Sequence, residues 1–255
     1  MEFLTATHTD VGIKKKTNQD SILVHQAQTD YGAILLAVVC DGMGGLSKGE
    51  VASAEMIREF SRWFQEELPE LLYSGMKPEA LRVSWENLVV SVNHRIADYA
   101  DRLSVTMGTT CVAFLAIEDI YYIMNIGDSR VYMLSDNIYQ LTKDQTYVQR
   151  EIDAHRMTPM EAEASPQRSV LLQCIGASEV VQPDFFTGSI EANQCYLLCS
   201  DGFRHVVGST EIFRLCAPSA ADHPAAMKAG LEQLTELNKN RMETDNISAV
   251  LIRTR

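Results

Sequence analysis

Short apolar runs open the chain and predict β-strands. The runs cover residues 3–8, 21–27 and 33–40. Two longer stretches follow in which an apolar residue recurs every three or four positions, which predicts amphipathic helices. The first helix covers roughly residues 51–68. The second, over residues 81–103, is clearer because its apolar positions form one stripe: Leu81, Trp85, Leu88, Val92, Ile96, Tyr99 and Leu103.

After Gly108 the apolar pattern changes to that of strands. Three consecutive runs rich in Val, Ile and Tyr are separated by short polar turns, and they predict strands over residues 109–117, 120–126 and 130–134. The polar segment 147–169 predicts a loop with a short helix. The remaining predicted elements are strands over 194–199 and 246–252 and helices over 209–216 and 224–238.

Strands and helices thus occur in separate groups along the chain. This grouping favours an α+β fold over an alternating α/β fold. The sequence contains no internal repeat and no stretch rich in Pro, Gly and Ser that would act as a linker. We therefore expect one domain over residues 1–255.

Composition and charge exclude several classes of protein. The apolar fraction of 46% is too high for a mostly disordered chain. The net charge of −12 argues against a nucleic-acid partner, because phosphate backbones attract surfaces rich in Lys and Arg. The longest apolar run, residues 33–40, is far shorter than the roughly 20 residues that span a membrane.

The first residues and the cysteines indicate where the chain acts. No basic region followed by an apolar run stands at the start, so we expect no signal peptide and no membrane insertion. The six cysteines form no CxxC pair, and we interpret them as reduced, buried thiols. These features predict a cytoplasmic protein, which we expect to be a monomer.

The most informative feature is a set of aspartates at strand ends. Asp41 follows the apolar run 33–40 and precedes Gly42, and Asp201 likewise stands between an apolar run and a glycine. A single Asp-Gly is also a common turn dipeptide, so only the whole set carries weight. The set comprises Asp20, Asp41, Asp128, Asp201 and Asp245.

Clustered carboxylates repel one another unless a cation compensates their charge. Mg²⁺ and Mn²⁺ prefer oxygen ligands, and a glycine after a strand-end Asp lets a backbone carbonyl approach the ion. The residues therefore predict an oxygen-ligand site, with two ions about 3.5–4 Å apart that suit in-line phosphoryl displacement.

Nine short motifs in a fixed order give the chain a family resemblance. They are TDVG at 9–12, NQDS at 18–21, VCDGMGG at 39–45, GTT at 108–110, NIGDSR at 125–130, LTKD at 141–144, IG at 175–176, LCSDG at 198–202 and TDNI at 244–247. In this order they resemble the type 2C-like protein phosphatases, the metal-dependent PPM family of Ser/Thr phosphatases. The resemblance runs over residues 5–252 and is that of a bacterial member consisting of the catalytic domain.

The resemblance implies a four-layer α-β-β-α sandwich of two antiparallel sheets flanked by helices, with metals at one edge. It implies that Asp41 bridges two Mn²⁺ or Mg²⁺ ions, that the Gly42 carbonyl binds one, and that Asp201 and Asp245 complete the pair. Asp20 would act mostly through bound water. The position of Asp128 resembles one that, together with Asp201, helps hold a third, weaker ion in bacterial members.

The implied activity is hydrolysis of phosphoserine and phosphothreonine in proteins. A metal-bridging hydroxide would attack the phosphorus directly, without a phosphoenzyme, and Asp41, Asp201 and Lys15 would be the catalytic residues. The resemblance also implies phosphoprotein substrates and a bacterial Ser/Thr kinase that the phosphatase opposes.

Two positions depart from the family pattern. Lys15 stands where members usually carry the Arg that binds the substrate phosphate, so phosphate binding should survive with a less fixed orientation. Gln19 replaces the more usual Glu and removes one acidic group beside the metals, which should weaken metal binding. Asn246 is expected to orient Asp245 through a hydrogen bond.

The polar segment 147–169 falls where the family has a mobile flap, which makes His155 and Arg168 candidate substrate contacts.

Two alternative functions stay open. Residues 45–49 form a GxSxG pattern, typical of serine hydrolases, with Ser47 as nucleophile. The chain could also be a catalytically weak member that only binds phosphoproteins.

Overall fold

The computed structural model describes residues 1–43 and 48–255, and within these it contains ten strands and seven helices. The strands are β1 (Phe3–Asp10), β2 (Asp20–Thr29), β3 (Gly32–Asp41), β4 (Cys111–Ile117), β5 (Ile120–Ile126), β6 (Arg130–Leu134), β7 (Ile138–Gln140), β8 (Asp184–Ser189), β9 (Cys195–Cys199) and β10 (Ile247–Thr254). The helices are α1 (Gly49–Tyr73), α2 (Pro78–Leu103), α3 (Tyr147–Asp153), α4 (Pro159–Glu163), α5 (Asp201–Arg204), α6 (Ser209–Cys216) and α7 (Pro224–Asn240).

The strands form two five-stranded sheets in which every pair is antiparallel. The first sheet has the order β1-β10-β9-β6-β7, and the second has the order β2-β3-β4-β5-β8. β2 pairs only with β3 among the described strands, so β2 is an edge strand of the second sheet.

Alternating side chains of the strands fill three separate apolar layers. Even-numbered residues of β3, such as Leu36 and Val38, pack outward against Phe60 and Trp85 of α1 and α2. The odd-numbered β3 residues point the other way, into a layer between the sheets that contains Phe114, Tyr196 and Val250. The third layer lies between the first sheet and helices α6 and α7.

The order of layers is therefore α1 and α2, second sheet, first sheet, then α6 and α7. This confirms the α+β, four-layer sandwich that the sequence implied. The central strands β3 and β4 are buried almost throughout, because one face meets helices and the other meets a sheet. Among residues 1–43 and 48–255, no helix has the length and apolarity needed to cross a bilayer.

Several elements differ from the sequence prediction, and the clearest are β7, β8 and α1. The strands β7 and β8 were not predicted, because β7 has only three residues and β8 follows Pro183 and includes Gly188. Helix α1 was expected to end at residue 68, but it continues through Pro69 to Tyr73. Leu68 and Leu72 flank this proline and are both buried, so packing outweighs the local cost of Pro69.

The layer between the sheets should dominate stability. Phe114 is fully buried there, with ring centroids 4.9 Å from Tyr196 and 5.7 Å from Tyr121. We expect Phe114→Ala to lower the free energy of unfolding by about 3–5 kcal/mol, measured by urea denaturation. Val83→Ala on α2, where the side chain is 53% exposed, is the control and should cost under about 0.5 kcal/mol. Equal losses in the two variants would contradict this role for the layer.

Candidate metal centre

The five predicted aspartates all lie at or within two residues of strand ends, on one side of the sandwich. Asp20 and Asp41 are direct register partners where β2 begins and β3 ends. Cys199, the last residue of β9, pairs with Arg130 at the start of β6 and with Ala249 near the start of β10. Asp128, Asp201 and Asp245 are within two residues of the same ends of β6, β9 and β10.

Hydrogen bonds connect this edge across the two sheets. The Ser200 hydroxyl, just after β9, donates to Oδ2 of Asp20 at the start of β2, over 2.9 Å. The backbone of Asp41 is held by Thr110, whose N–H donates to the Asp41 carbonyl at 2.9 Å and whose hydroxyl accepts from the Asp41 N–H at 3.1 Å. Thr109 also donates its hydroxyl proton to that carbonyl, at 3.0 Å. The strand ends therefore hold the carboxylates in place.

Burial and mutual repulsion raise the pKa values of three of these carboxyl groups. Burial raises the pKa of Asp41 well above its usual value, and the charges of Asp20, Asp201, Asp128 and Asp245 raise it further. For Asp20, burial and the charges of Asp201 and Asp245 raise the pKa to about 7, against hydrogen bonds that lower it.

Asp128 behaves in the same way. Burial and the charge of Asp201 raise the pKa of Asp128 to about 7, although Arg204 nearby lowers it. The buried negative charges at this edge thus lack adequate compensation from the protein. A bound cation would supply it.

Two carboxylate oxygens point to the same conclusion. Oδ1 of Asp20 and Oδ1 of Asp201 are buried and have no hydrogen-bond partner. Such orphaned oxygens are costly, and a hard divalent cation would use them as ligands. Within the described parts of the chain, no three Asp, Glu, His or Cys side chains are already arranged around a metal position. The chemistry of these oxygen donors nevertheless fits a divalent ion.

Gly42 lies where only a glycine fits. A Cβ on this residue would lie 2.4 Å from the carbonyl oxygen of Gln19 and 2.5 Å from that of Gly49. Its N–H donates to the carbonyl of Gln19, just before β2, and the close approach of Gly49 places the start of α1 beside the end of β3. Any side chain here would force these segments apart.

Lys15 forms an ion pair with a predicted metal ligand. Its Nζ lies 2.9 Å from Oδ1 of Asp245. The sequence predicted that Lys15 binds the substrate phosphate; in the structure the ammonium group instead compensates the Asp245 charge. Lys15 is therefore at the metal centre, and its role towards a phosphate stays a prediction.

Asn246 hydrogen-bonds Asp245 as expected, and Asn246 and Gln19 also make contacts that were not predicted. The backbone N–H of Asn246, and not its side chain, donates to Oδ1 of Asp245 at 2.8 Å. The Asn246 side chain instead accepts from the Gln19 N–H and donates to the carbonyls of Val11 and Thr17. It therefore fixes the loop that leads to Asp20. The Gln19 amide donates to Glu50 of α1 at 3.0 Å.

Sequence reasoning missed two residues that connect metal ligands. Nε2 of His205 lies 3.3 Å from Oδ2 of Asp201, and Nδ1 lies 3.5 Å from Oε2 of Glu243. Glu243 in turn accepts the N–H groups of Thr244 and Asp245, at 2.7 and 2.9 Å. Burial opposes a charge on His205, but the Glu243 hydrogen bond and the Asp201 charge outweigh it and raise its pKa.

Arg204 is a third missed residue. It donates to the Asp128 backbone carbonyl at 2.8 Å and lies 3.4 Å from Oδ2 of Asp144. Asp144 also receives a bidentate pair of 2.7 Å hydrogen bonds from Arg130. The two arginines thus fix the loop that carries Asp128. The motifs NIGDSR and LTKD contain Arg130, Asp128 and Asp144, but their spacing did not indicate this pairing.

The remaining predicted residues are exposed on the surface or lie outside the described residues. His155 and Arg168 are exposed, in the segment that contains α3 and α4. No contact to the carboxylates is recorded for either, so their role towards substrate stays a prediction. Ser47, the nucleophile of the serine hydrolase alternative, lies outside the described residues, as do Gly44 and Gly45.

The raised pKa values predict how stability depends on pH. Between about pH 4 and pH 7 the unfolded chain has released protons that Asp20 and Asp128 retain when folded. The folded state then binds more protons than the unfolded state, so the free energy of unfolding should decrease as the pH rises. Urea denaturation of EDTA-treated protein at about pH 5 and about pH 8 measures this, and Mn²⁺ should stabilise more at the higher pH.

A variant that lacks one titrating carboxyl group, compared with a matched control, tests this prediction further. Asp128→Asn should reduce the difference in stability between the two pH values, whereas Asn at the exposed Asp98 should not. Metal-free protein that is equally stable at both pH values, or more stable at the higher one, would show that the carboxylates are not mutually destabilising.

His205 should control metal affinity without binding the metal. Because it orients Asp201 and, through Glu243, the Asp245 backbone, we expect His205→Ala to weaken Mn²⁺ binding roughly 10–100-fold by titration calorimetry. His94, exposed on α2, provides the matched His→Ala control and should leave Mn²⁺ binding unchanged. Unaltered affinity in His205→Ala would mean that the network does not position these ligands.

Comparisons with known proteins in sequence and structure identify the family of the chain. A family model described as protein phosphatase 2C matches residues 12–237. Protein phosphatase PhpP of Streptococcus pneumoniae is 30% identical over 247 residues, which cover 96% of this chain and 94% of PhpP.

Solved structures give the same result. Serine/threonine phosphatase Stp1 from Staphylococcus aureus has a TM-score of 0.85 at 28% identity, covering 100% of this chain and 96% of Stp1. A second structure is the catalytic domain of the serine/threonine phosphatase PstP in complex with two manganese ions. Its TM-score is 0.77 at 29% identity, and the match covers 98% of this chain and 97% of the PstP chain. The family match, the fold and the strand-end carboxylates lead to one conclusion: the chain belongs to the protein phosphatase 2C family of metal-dependent Ser/Thr protein phosphatases.

Proposed function

We propose that this chain is a metal-dependent phosphoprotein phosphatase that hydrolyses phosphoserine and phosphothreonine. The observation that carries the proposal is the cluster of buried aspartates whose pKa values burial and mutual repulsion raise. Without a cation this cluster destabilises the fold, and its oxygen-only donors suit Mg²⁺ or Mn²⁺.

The proposed ligands of two divalent ions are Asp41, the carbonyl of Gly42, Asp201 and Asp245. Asp20 would contact them mostly through water, and Asp128 with Asp201 would hold a third, weaker ion. When bound, the ions supply Lewis acidity that activates water and neutralises charge on the phosphoryl oxygens. The manganese in the PstP structure supports Mn²⁺ as the ion to test first.

The chain's own residues have separate tasks in this proposal. Asp41 and Asp201 hold the reacting centre, and Thr110 and His205 keep them oriented. Lys15 would leave Asp245 when the metal binds and would then be free to pair with the substrate phosphate. His155 and Arg168 are exposed in the segment after β7 and would contact the protein part of the substrate.

We further propose that the chain acts as one catalytic domain and as a monomer, and that it opposes a Ser/Thr kinase in the cytoplasm. PhpP and Stp1 are named Ser/Thr or protein phosphatases, which supports phosphoprotein substrates. The six cysteines are free and buried, which agrees with a reducing compartment. A chain that only binds phosphoproteins is not favoured, because the five aspartates are all present.

The activity has a direct test. Wild-type protein with Mn²⁺ should hydrolyse p-nitrophenyl phosphate and a phosphothreonine peptide, and EDTA should abolish both reactions. Asp201→Asn should lower kcat/KM at least about 100-fold, because it removes a charged ligand from the centre. Asp222→Asn, a matched change at an exposed site, should retain full activity.

One further variant separates the alternative chemistry. Ser47→Ala should leave hydrolysis of the phosphopeptide intact, because the proposed reaction uses no serine nucleophile. Loss of activity in Ser47→Ala with full activity in Asp201→Asn would overturn the proposal in favour of a serine hydrolase.

A further inference from the structure

A groove between the edge strand β2 and helix α1 leads away from the metal centre. It has a volume of about 600 Å³ and is lined by residues 21–23 of β2 and by α1 residues between Ala54 and Gln65, among them Arg58, Ser61 and Arg62. Its lining residues on β2 begin directly after Asp20, so one end of the groove meets the carboxylate cluster. None of the metal-centre residues themselves line it.

The strand and the helix run side by side from the metal centre outward. Ser21 and Ser53 share a hydrogen bond of 2.9 Å near the centre, and His25 and Ser61 share one of 2.8 Å farther along. From residue 54 to residue 65 the helix rises about 16 Å. That length matches about five residues of an extended peptide, at about 3.3 Å each.

One wall of the groove is an unpaired strand edge. Three consecutive β2 residues line the groove. Because side chains alternate between the two faces of a strand, three consecutive residues can line one wall only if the backbone edge is part of that wall. Among the described strands β2 pairs only with β3, and its other edge is available. An extended segment can add to such an edge through main-chain hydrogen bonds.

The other wall carries positive charge in a strongly acidic chain. The lining includes Arg58 and Arg62 and no Asp or Glu, while the whole chain has a net charge of −12. The side chains of Arg58 and Arg62 are 71% and 54% exposed.

Both arginines keep donors available for a ligand. Arg58, Arg62 and Arg95 together share only two carboxylates, those of Glu55 and Glu59, so this cluster has one excess positive charge. Each guanidinium has five N–H donors, more than one shared carboxylate satisfies. Acidic side chains of a bound peptide would complement this wall.

We propose that this groove binds the segment of the phosphoprotein substrate that precedes the phosphorylated residue, as an extended strand with acidic side chains. The inference rests on the proposed function and adds a substrate preference to it. β2 starts at the centre and runs outward, so a segment antiparallel to it runs inward and brings its C-terminal end to the metals.

The positions of the two arginines set the expected sequence preference. Measured from Gly49, which contacts Gly42 at the centre, Arg58 lies about 14 Å and Arg62 about 20 Å along the helix. These distances correspond to about four and about six residues of extended peptide. The preferred substrates should therefore carry Glu or Asp about four to six positions before the phosphoresidue.

Two matched phosphothreonine peptides test the preference, one with Glu and one with Gln at those positions. Wild-type protein should hydrolyse the Glu peptide with a kcat/KM roughly tenfold higher, mostly through KM. The Arg58→Gln, Arg62→Gln double variant should lose this preference and still hydrolyse p-nitrophenyl phosphate at the wild-type rate. The Arg102→Gln, Arg214→Gln control removes the same charge from exposed sites on α2 and α6 and should keep the preference.

Binding to the Asp201→Asn variant gives a readout that does not depend on turnover. By fluorescence anisotropy the Glu peptide should bind more tightly than the Gln peptide, and hydrogen exchange should show new protection in β2 and α1. No Glu preference in the wild type, an undiminished preference in the Arg58, Arg62 variant, or no protection of β2 would overturn the groove assignment.

The test also distinguishes failure of the groove from failure of the function. Hydrolysis of p-nitrophenyl phosphate without any peptide preference leaves the phosphatase proposal intact and removes the groove. Preferential binding with no hydrolysis of any phosphoester refutes the phosphatase proposal and retains the groove as a binding site. A dimer in sedimentation that the Arg58, Arg62 variant abolishes would assign the groove to a second copy of the chain and overturn the proposal.

Discussion

The main constraint on this structure is the electrostatic repulsion between carboxylates that the fold brings close together. Two sheets end at one edge, and each contributes aspartates that are rigidly attached to buried strands. Asp41 faces the charges of four others, and burial removes the water that would otherwise screen them. Because the strands form the core, the protein cannot separate these charges without losing packing. A divalent cation is the simplest compensation, and this need connects the fold to the chemistry of the family.

The polar groups around the cluster have an equally specific arrangement. His205 and Glu243 connect Asp201 with the Asp245 backbone, and Arg204 holds the Asp128 loop. Lys15, at a position where the resembled family usually has an arginine, pairs with Asp245. A lysine ammonium is a compact charge that can move between a carboxylate and a phosphate without breaking a bidentate pair. In the proposed function Lys15 is therefore the countercharge that exchanges between Asp245 and the substrate phosphate.

Local pattern predicted the α+β class and the set of strand-end aspartates, whereas the four-layer sandwich followed from the family resemblance. Apolar runs located the central strands, and Asp41 and Asp201 were apparent as carboxylates between such a run and a glycine. Contacts between distant loops were not predictable. Nothing near His205 indicates that it meets Glu243, because only the return of the chain to β10 brings them together. The short strand β7 and the Gly-containing β8 carried too little pattern, and the course of α1 through Pro69 depends on tertiary packing.

The most direct test of the central claim is anomalous diffraction at the manganese edge from crystals grown with Mn²⁺. The account predicts two strong peaks within about 2.1–2.2 Å of oxygens from Asp41, Asp201 and Asp245, with the Lys15 ammonium moved away from Asp245. Absence of any peak at this edge of the sandwich, or peaks at carboxylates elsewhere on the surface, would contradict it.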